Sequence, residues 1–398
     1  MPFSEQSPCL TLRCFLTFGR QVKLQFLNLV KFIYGRTYFV RVFQRALYNT
    51  IMNLDFSLKW IAWESTKRCN LNCIHCRSKN GSNTDEIDTK KAFNLMDRVG
   101  RFSKPVFVIS GGEPLLRKDI FELLEYGTKL GFKMAIATNG SLLDDSISLK
   151  LKSSGLKVAS LSLDGSVSEV HDNFRRQPGS FDSVIKATTI FKKHNIPFLI
   201  NSSFTKRNQS DIENTYKLAK KLGCVAWYIF IVVPVGNAQE ILDDLISKED
   251  YENILKWHFN MEISEKDIKV RPICAPSYYR VFDQNSKKIG TNISRRNLSF
   301  SPGGSKGCVA AQYIAYIDHL GNVYPCSYFP ASAGNIFESE FETIWNSKIF
   351  GDIRNFSNYK GNCGRCEYLT VCGGCRVRAL IYNGDYMAGD PYCDYKKL

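Results

Sequence analysis

The sequence predicts an α/β fold: a partial, TIM-like barrel of six βα units, followed by a cysteine-rich C-terminal domain and preceded by a helical N-terminal appendage. Three observations carry this expectation. Between residues 58 and about 236, short apolar runs alternate with segments whose apolar residues recur at helical spacing. Beyond residue 270 that periodicity gives way to loops and eight cysteines at ligand-like spacings. Residues 1–55 alternate basic and large apolar side chains and hold only two acids, Glu5 and Asp55. The expected domains are therefore 1–55, 56–265 and 266–398.

Each element has a local reason. The six strands are read at Trp60–Glu64, Val106–Ile109, Lys133–Thr138, Val158–Leu163, Pro197–Phe204 and Val225–Val233. Helices are expected between them. Lys90 to Val99 follows an Asp88-Thr89 cap and aligns Ala92, Phe93, Met96 and Val99 on one face. Asp119–Leu130, Ser180–His194 and Asp211–Leu222 repeat the pattern. Six such units fall two short of a closed eight-stranded barrel, so an open, partial barrel is expected. In the appendage no charge-free apolar stretch is long enough to span a bilayer, and no small-residue cleavage site follows the start. Residues 1–55 read as helices packed on a neighbouring surface, or as a candidate membrane-surface contact.

Composition narrows the class. The 398 residues are 44% hydrophobic and 23% charged, as in ordinary globular domains. Fourteen cysteines in so long an α/β chain point to metal thiolates in a reducing cytoplasm, peripheral to a membrane if the appendage docks there, rather than to disulfides. A net charge of +15 favours acidic partners, but no nucleic-acid recognition module is present in the sequence.

The most telling run is Cys69-Asn70-Leu71-Asn72-Cys73-Ile74-His75-Cys76, three thiolates within eight residues directly after the first strand. Three protein ligands leave one iron of a cubane cluster open to substrate or cofactor. This Cys-x3-Cys-x2-Cys spacing resembles the signature of the radical S-adenosylmethionine (SAM) enzymes, and the companion motifs agree. Gly111-Gly112-Glu113-Pro114 closes the second strand, Asn139-Gly140 the third, Ser162-Leu163-Asp164-Gly165 the fourth and Asn201-Ser202-Ser203 lies in the fifth. The resemblance implies a [4Fe-4S] cluster on Cys69, Cys73 and Cys76. SAM would lie against Gly111, Gly112, Glu113, Pro114, Asn139, Ser162, Asp164 and Asn201, with Glu113 an acceptor for its amino group. A zinc knuckle or three buried thiols is the plainer alternative.

The C-terminal cysteines are Cys274, Cys308, Cys326, Cys363, Cys366, Cys372, Cys375 and Cys393. Their order resembles the SPASM domain, which carries auxiliary iron-sulfur clusters. By that resemblance Cys363, Cys366, Cys372 and Cys393 hold an outer cluster, and Cys308, Cys326 and Cys375 an inner one. Only Gly373-Gly374 separates Cys372 from Cys375, where the usual pattern has three residues. Cys274 is the candidate fourth inner ligand; an open or unfilled inner site, and a zinc ribbon from Cys363 to Cys375, are the alternatives. Cys9, Cys14 and Cys224 read as ordinary thiols.

Further stretches resemble the tetrapyrrole-modifying branch of alternative haem and haem-d1 biosynthesis: Trp63-Glu64, His75-Cys76-Arg77, Cys274-Ala275-Pro276, and the tail from Cys363 to Asp390-Pro391-Tyr392-Cys393. That likeness implies an oxidoreductase whose 5′-deoxyadenosyl radical removes a propionate β-hydrogen, so that loss of carbon dioxide and one electron leaves a vinyl group; a deacetylation is the branch's other reaction. No acid or base is demanded, so no catalytic side chain is nominated. Arg77, Arg271, Arg280, Arg376 and Arg378 are candidate forks for an anionic tetrapyrrole. A low-potential flavodoxin- or ferredoxin-type donor is the implied reductant. The enzymatic alternative is a peptide maturase forming thioether or carbon-carbon cross-links, and the non-enzymatic one an iron-sulfur electron carrier or scaffold.

Overall fold

The computed structural model describes residues 56–78, 85–290 and 306–395. The appendage expected at 1–55, with Cys9 and Cys14, lies outside the described residues. Six strands, β1 (Trp60–Glu64), β2 (Val106–Ser110), β3 (Lys133–Thr138), β4 (Val158–Ser162), β5 (Phe198–Phe204) and β6 (Ala226–Ile231), pair in chain order, each parallel to the next. Between them run α1 (Thr89–Phe102), α2 (Ile120–Lys129), α3 (Asp145–Ser153), α4 (Ser168–Arg175), α5 (Ser180–Lys193) and α6 (Ile212–Lys221). The Asp88 carboxylate accepts from the Lys91 amide at 2.7 Å and caps α1, as its sequence predicts.

After α7 (Lys248–Ser264) the chain adds two parallel strands that the sequence reading did not foresee. β7 (Lys269–Ile273) pairs with β6, and β8 (Ile314–Ile317) returns to pair with β1. The sheet order is β10-β9-β8-β1-β2-β3-β4-β5-β6-β7, with β9 (Asn322–Tyr324) and β10 (Gly334–Asn335) antiparallel at one end. Segments from the region expected at 266–398 thus extend both edges of the barrel sheet. β7 was missed because Pro272 reads against a strand; it is tolerated at this terminal position, where one side of the ladder has no partner. The remaining helices are α8 (Tyr278–Lys288) and the short α9 (Phe341–Trp345), α10 (Lys348–Arg354), α11 (Gly361–Gly364), α12 (Leu369–Cys372) and α13 (Arg376–Asn383).

The strands explain where the core and the site lie. Side chains alternate between faces along a strand. One set, including Trp63, Phe107, Ile136, Leu161, Ile200 and Trp227, is fully buried in the main hydrophobic core. The alternate set is small or polar: Ala62 and Glu64 on β1, Val108 and Ser110 on β2, Ala135 and Ala137 on β3, Ser160 and Ser162 on β4, Asn201 and Ser203 on β5. Ala62, Val108, Ala135 and Tyr316 form a separate small cluster on that face. Large residues on one face hold the helices, and small polar ones on the other leave space for a ligand. Among the described residues no helix is long and apolar enough to cross a membrane.

Candidate active site and auxiliary cysteine sets

The loop bearing Cys69, Cys73 and Cys76 leaves the C-terminal end of β1 and is pinned by the ends of other strands. Ser65 enters it with its amide and hydroxyl both donating to the Ser110 carbonyl, at 2.8 and 2.9 Å. The Gly112 amide donates to Thr66 O at 2.7 Å and the Glu113 amide to Arg68 O at 2.8 Å. This contact explains the paired glycines: a Cβ on Gly111 would lie 2.4 Å from Thr66 O, and one on Gly112 would lie 2.2 Å from Arg68 O. Past β6, Asn237 donates its amide to Cys76 O at 2.8 Å and its Nδ2 to Cys73 O at 3.0 Å. From β3, Asn139 Nδ2 donates to Asn70 Oδ1 at 2.9 Å. Arg117, buried against Trp63, donates to Ser65 O at 2.7 Å and pairs with Asp119.

Two site candidates face the protein more than the opening. Glu113 is 0% exposed, and its carboxylate accepts from the Leu115 amide, Thr138 Oγ1 and the Asn139 amide at 3.1, 2.8 and 2.8 Å. Burial outweighs these bonds and pushes its pKa up to about 7. Glu113 therefore ties the Gly-Gly-Glu-Pro turn to the end of β3, and a purely ligand-facing role does not match its bonds. Asp164 is likewise fully buried: Arg175 Nε donates to its Oδ2 at 2.7 Å and the Ser203 amide to its Oδ1 at 2.6 Å. The same arginine reaches Cys73, Nη1 to Sγ at 3.8 Å. Burial raises the Cys73 thiol to about 11, with Arg175 pulling the other way; a bound iron would hold it as thiolate.

Arg175 and its neighbours were missed by sequence reasoning. His75 stacks on Phe174 with centroids 4.4 Å apart, and burial lowers its pKa to about 4. His171 Nδ1 accepts from the Asp164 amide at 3.0 Å, as a neutral ring must, and burial again lowers its pKa to about 4. The available signal was weak, since α4 is a short polar helix outside the motif.

Asn201 and Ser162 are direct register partners on β5 and β4, and Asn201 continues sideways to Tyr228 and Arg271. Asn201 Nδ2 donates to Ser160 Oγ at 2.7 Å while its buried Oδ1 has no partner. Arg271 is 7% exposed and its buried Nε also lacks one. Pro114 is buried at the start of a 3₁₀ turn, Pro114–Leu116.

The C-terminal thiols fall into two groups. Cys363, Cys366, Cys372 and Cys393 line one open-mouthed cavity of about 410 Å³, mouth included. The four thiols ring that space. Gly374 makes the room: a Cβ there would lie 2.9 Å from Cys363 Sγ. Burial pushes the Cys274 thiol well above the ordinary range, and Cys375, Cys326 and Cys308 lie near enough to add to that shift, which gathers the second group. It follows β7 with φ +56, an unusual conformation for a residue with a side chain, and Arg378 Nη1 holds its carbonyl at 2.7 Å. These two thiol-rich, partly to fully buried donor sets suit iron-sulfur clusters. Cys224 lies in the hydrophobic core, with burial pushing its pKa up to about 12.

Three of the five candidate substrate forks are committed elsewhere, which corrects the sequence reading. Arg280 pairs with Glu252 at 2.6 Å, Arg376 donates to Tyr386 O and Ala388 O, and Arg378 to Cys274 O and Ile231 O. Arg77, stacked on Tyr316 and 3.7 Å from Glu64, lies just past the cysteine loop.

A parallel partial barrel with a thiolate loop at its strand ends, joined to a second thiolate region, defines an iron-sulfur oxidoreductase. Residues 63–245 match the Radical SAM superfamily model, and 308–375 match the SPASM model, an iron-sulfur cluster-binding domain. The chain is 42% identical over 339 residues to the AdoMet-dependent heme synthase of Methanosarcina barkeri (strain Fusaro / DSM 804), covering 84% of this chain and 96% of that protein. The chain belongs to the radical SAM superfamily; it binds SAM and a [4Fe-4S] cluster, and its SPASM domain binds auxiliary iron-sulfur clusters. It is 27% identical to the pre-heme d1 synthase of Dinoroseobacter shibae (strain DSM 16493 / NCIMB 14021 / DFL 12), over 84% of this chain and 85% of that one. Among solved structures, Streptococcus suis SuiB bound to precursor peptide SuiA shares the fold, with a TM-score of 0.68 at 18% identity over 91% of this chain and 82% of that one.

Proposed function

We propose that this enzyme decarboxylates propionate side chains of an iron porphyrinoid to vinyl groups in haem biosynthesis. The observation that carries the reading is the 42% identity extending over 96% of a relative named a heme synthase. Cys69, Cys73 and Cys76 are the ligands proposed for the SAM-binding cluster. Cys363, Cys366, Cys372 and Cys393 are proposed for the outer auxiliary cluster, with Cys274, Cys308, Cys326 and Cys375 for the inner. SAM with its cluster supplies hydrogen-atom abstraction from an unactivated carbon.

The protein's own contribution is placement and exclusion. Gly111, Gly112 and Glu113 hold the cysteine loop against β2 and β3. Ser162 and Asn201 offer polar groups on the face of small side chains, where Asn201 Oδ1 is without a partner. Arg77, just past the cysteine loop, and Arg271, whose buried Nε has no partner while its Nη2 donates to Lys306 O at 3.4 Å, are the proposed substrate carboxylate contacts. A flavodoxin- or ferredoxin-type donor and a reducing cytoplasm belong to the same proposal, as does membrane-surface contact through residues 1–55.

The test is anaerobic incubation of the reconstituted, reduced protein with SAM and iron-coproporphyrin. The expected products are the monovinyl intermediate and haem, with one deoxyadenosine per carbon dioxide lost. SAM cleavage with no change in the mass of this substrate or of a sirohaem derivative would overturn the reading in favour of a peptide substrate.

A further inference from the structure

Two buried arginines touch cysteines proposed as cluster ligands, and their electrostatic settings differ. Arg175 reaches Cys73, but its charge is balanced by the buried Asp164 carboxylate at 2.6 Å. Arg376 is 1% exposed and reaches Cys363, Nη2 to Sγ at 3.6 Å. It spends its other donors on the carbonyls of Gly374, Tyr386 and Ala388, at 3.2, 2.9 and 2.8 Å. Asp390 attracts it from beyond ion-pair distance while accepting from the Cys375 and Tyr392 amides.

The contact with sulfur is a built one. The guanidinium stacks 4.4 Å over the Tyr359 ring, which fixes its plane. A Cβ on Gly374 would lie 2.5 Å from Arg376 Nη2 and 2.9 Å from Cys363 Sγ, so the glycine clears the space in which the two meet.

Reduction adds one negative charge to an iron-sulfur cluster. A nearby cation in a medium of low dielectric favours the reduced form, and hydrogen bonds to the ligating sulfur act in the same direction. A cation already paired with a carboxylate has little such effect, because the two charges nearly cancel at the cluster. We infer that Arg376 is a positioning residue which, through Cys363, raises the reduction potential of the outer auxiliary cluster above that of the Cys69, Cys73 and Cys76 cluster. The inference rests on the outer ligand set proposed above. The ordering makes the C-terminal region the downhill destination for an electron released at the barrel mouth.

The test is an anaerobic redox titration, followed by electron paramagnetic resonance, of the full reconstituted chain, of Arg376→Gln and of Arg376→Lys, with iron content measured for each. In the unaltered chain the outer cluster is expected to reduce before the SAM-binding one. Arg376→Gln is expected to lower the outer midpoint by about 59 mV or more, a tenfold change in the one-electron equilibrium, at unchanged iron content. Arg376→Lys is expected to recover most of that shift, and the SAM-binding cluster is expected not to move. An unchanged midpoint in Arg376→Gln, a reversed order in the unaltered chain, or equal loss of iron from both variants would overturn the inference. Cys363→Ala tests the ligand set separately: full iron retention there would overturn that set and the inference with it.

Discussion

The barrel-mouth loop and the C-terminal cysteine region solve the same problem, presenting thiolates to iron, by opposite means. At the mouth, three cysteines within eight residues sit on a loop whose backbone is bonded to residues at the ends of β2 and β6, with Asn70 bonded at the end of β3. The parallel sheet itself brings those ends together, so the scaffold stands before any metal arrives. The C-terminal region gathers eight cysteines spread from Cys274 to Cys393 on loops and short helices. Buried guanidiniums that bind backbone carbonyls help hold it: Arg376 ties the start of α13 to Tyr386 and Ala388, and Arg378 ties α13 to Ile231 at the end of β6 and to Cys274 just past β7. A site carried by a sheet and a site carried by charged side chains should therefore fail differently.

The largest effect separates the two regions chemically. Replacing Cys69, Cys73 and Cys76 together by Ala should abolish deoxyadenosine formation while the auxiliary iron persists; undiminished deoxyadenosine by product chromatography would break the comparison at its root.

Iron chelation should separate them mechanically. In hydrogen exchange after chelation, α11, α12 and the start of α13 should lose protection, whereas β1 to β6 keep theirs, because metal binding is coupled to folding where no sheet holds the ligands. Equal loss in both regions would show that the barrel also depends on its metal.

A smaller effect probes a place where the barrel site also relies on a buried charge. Arg175→Ala strands Asp164 without its partner and should cost about 3 to 5 kcal/mol of stability in urea denaturation. Adding Asp164→Asn should recover part of that loss. A change below about 1 kcal/mol in the single variant would mean that water replaces the guanidinium freely.

The smallest effect depends on pH. Burial raises Glu113 from 4.5 to about 7, so between those values the folded protein holds a proton that the unfolded chain releases. Its contribution to stability is fully present below about 4.5 and is lost as pH rises through about 7. Glu113→Gln should remove this dependence, so the difference between unaltered and variant proteins in denaturation midpoints should change across that window; parallel curves would contradict the buried, bonded carboxylate.

Much of the barrel was legible in the sequence for a local reason. Strand alternation and helical spacing are properties of neighbouring residues, and six of the expected strands lie within one or two residues of their expected ends. The cysteine loop was legible because its ligand spacing is covalent. Bonds between distant segments were not: Asn237 and Arg175 act on cysteines more than 100 positions away in the chain, and no local pattern announces them. The arginines near the C-terminal cysteines show the same limit from the other side. Their number was visible and suggested an anionic substrate, but the partner of each depended on which carbonyl or carboxylate the fold brought near.

By itself, then, the sequence determined the order of the βα units, the identity of the barrel-mouth cysteines and the presence of a second thiol-rich region, since each is written in spacing along the chain. Only the tertiary structure decided that β7 and β8 extend the two sides of one sheet, that Glu113 and Asp164 turn inward, and that Cys274 stands with Cys308, Cys326 and Cys375. Those outcomes depend on burial and on hydrogen bonds between remote segments, whose energies exist only once the chain has closed around them.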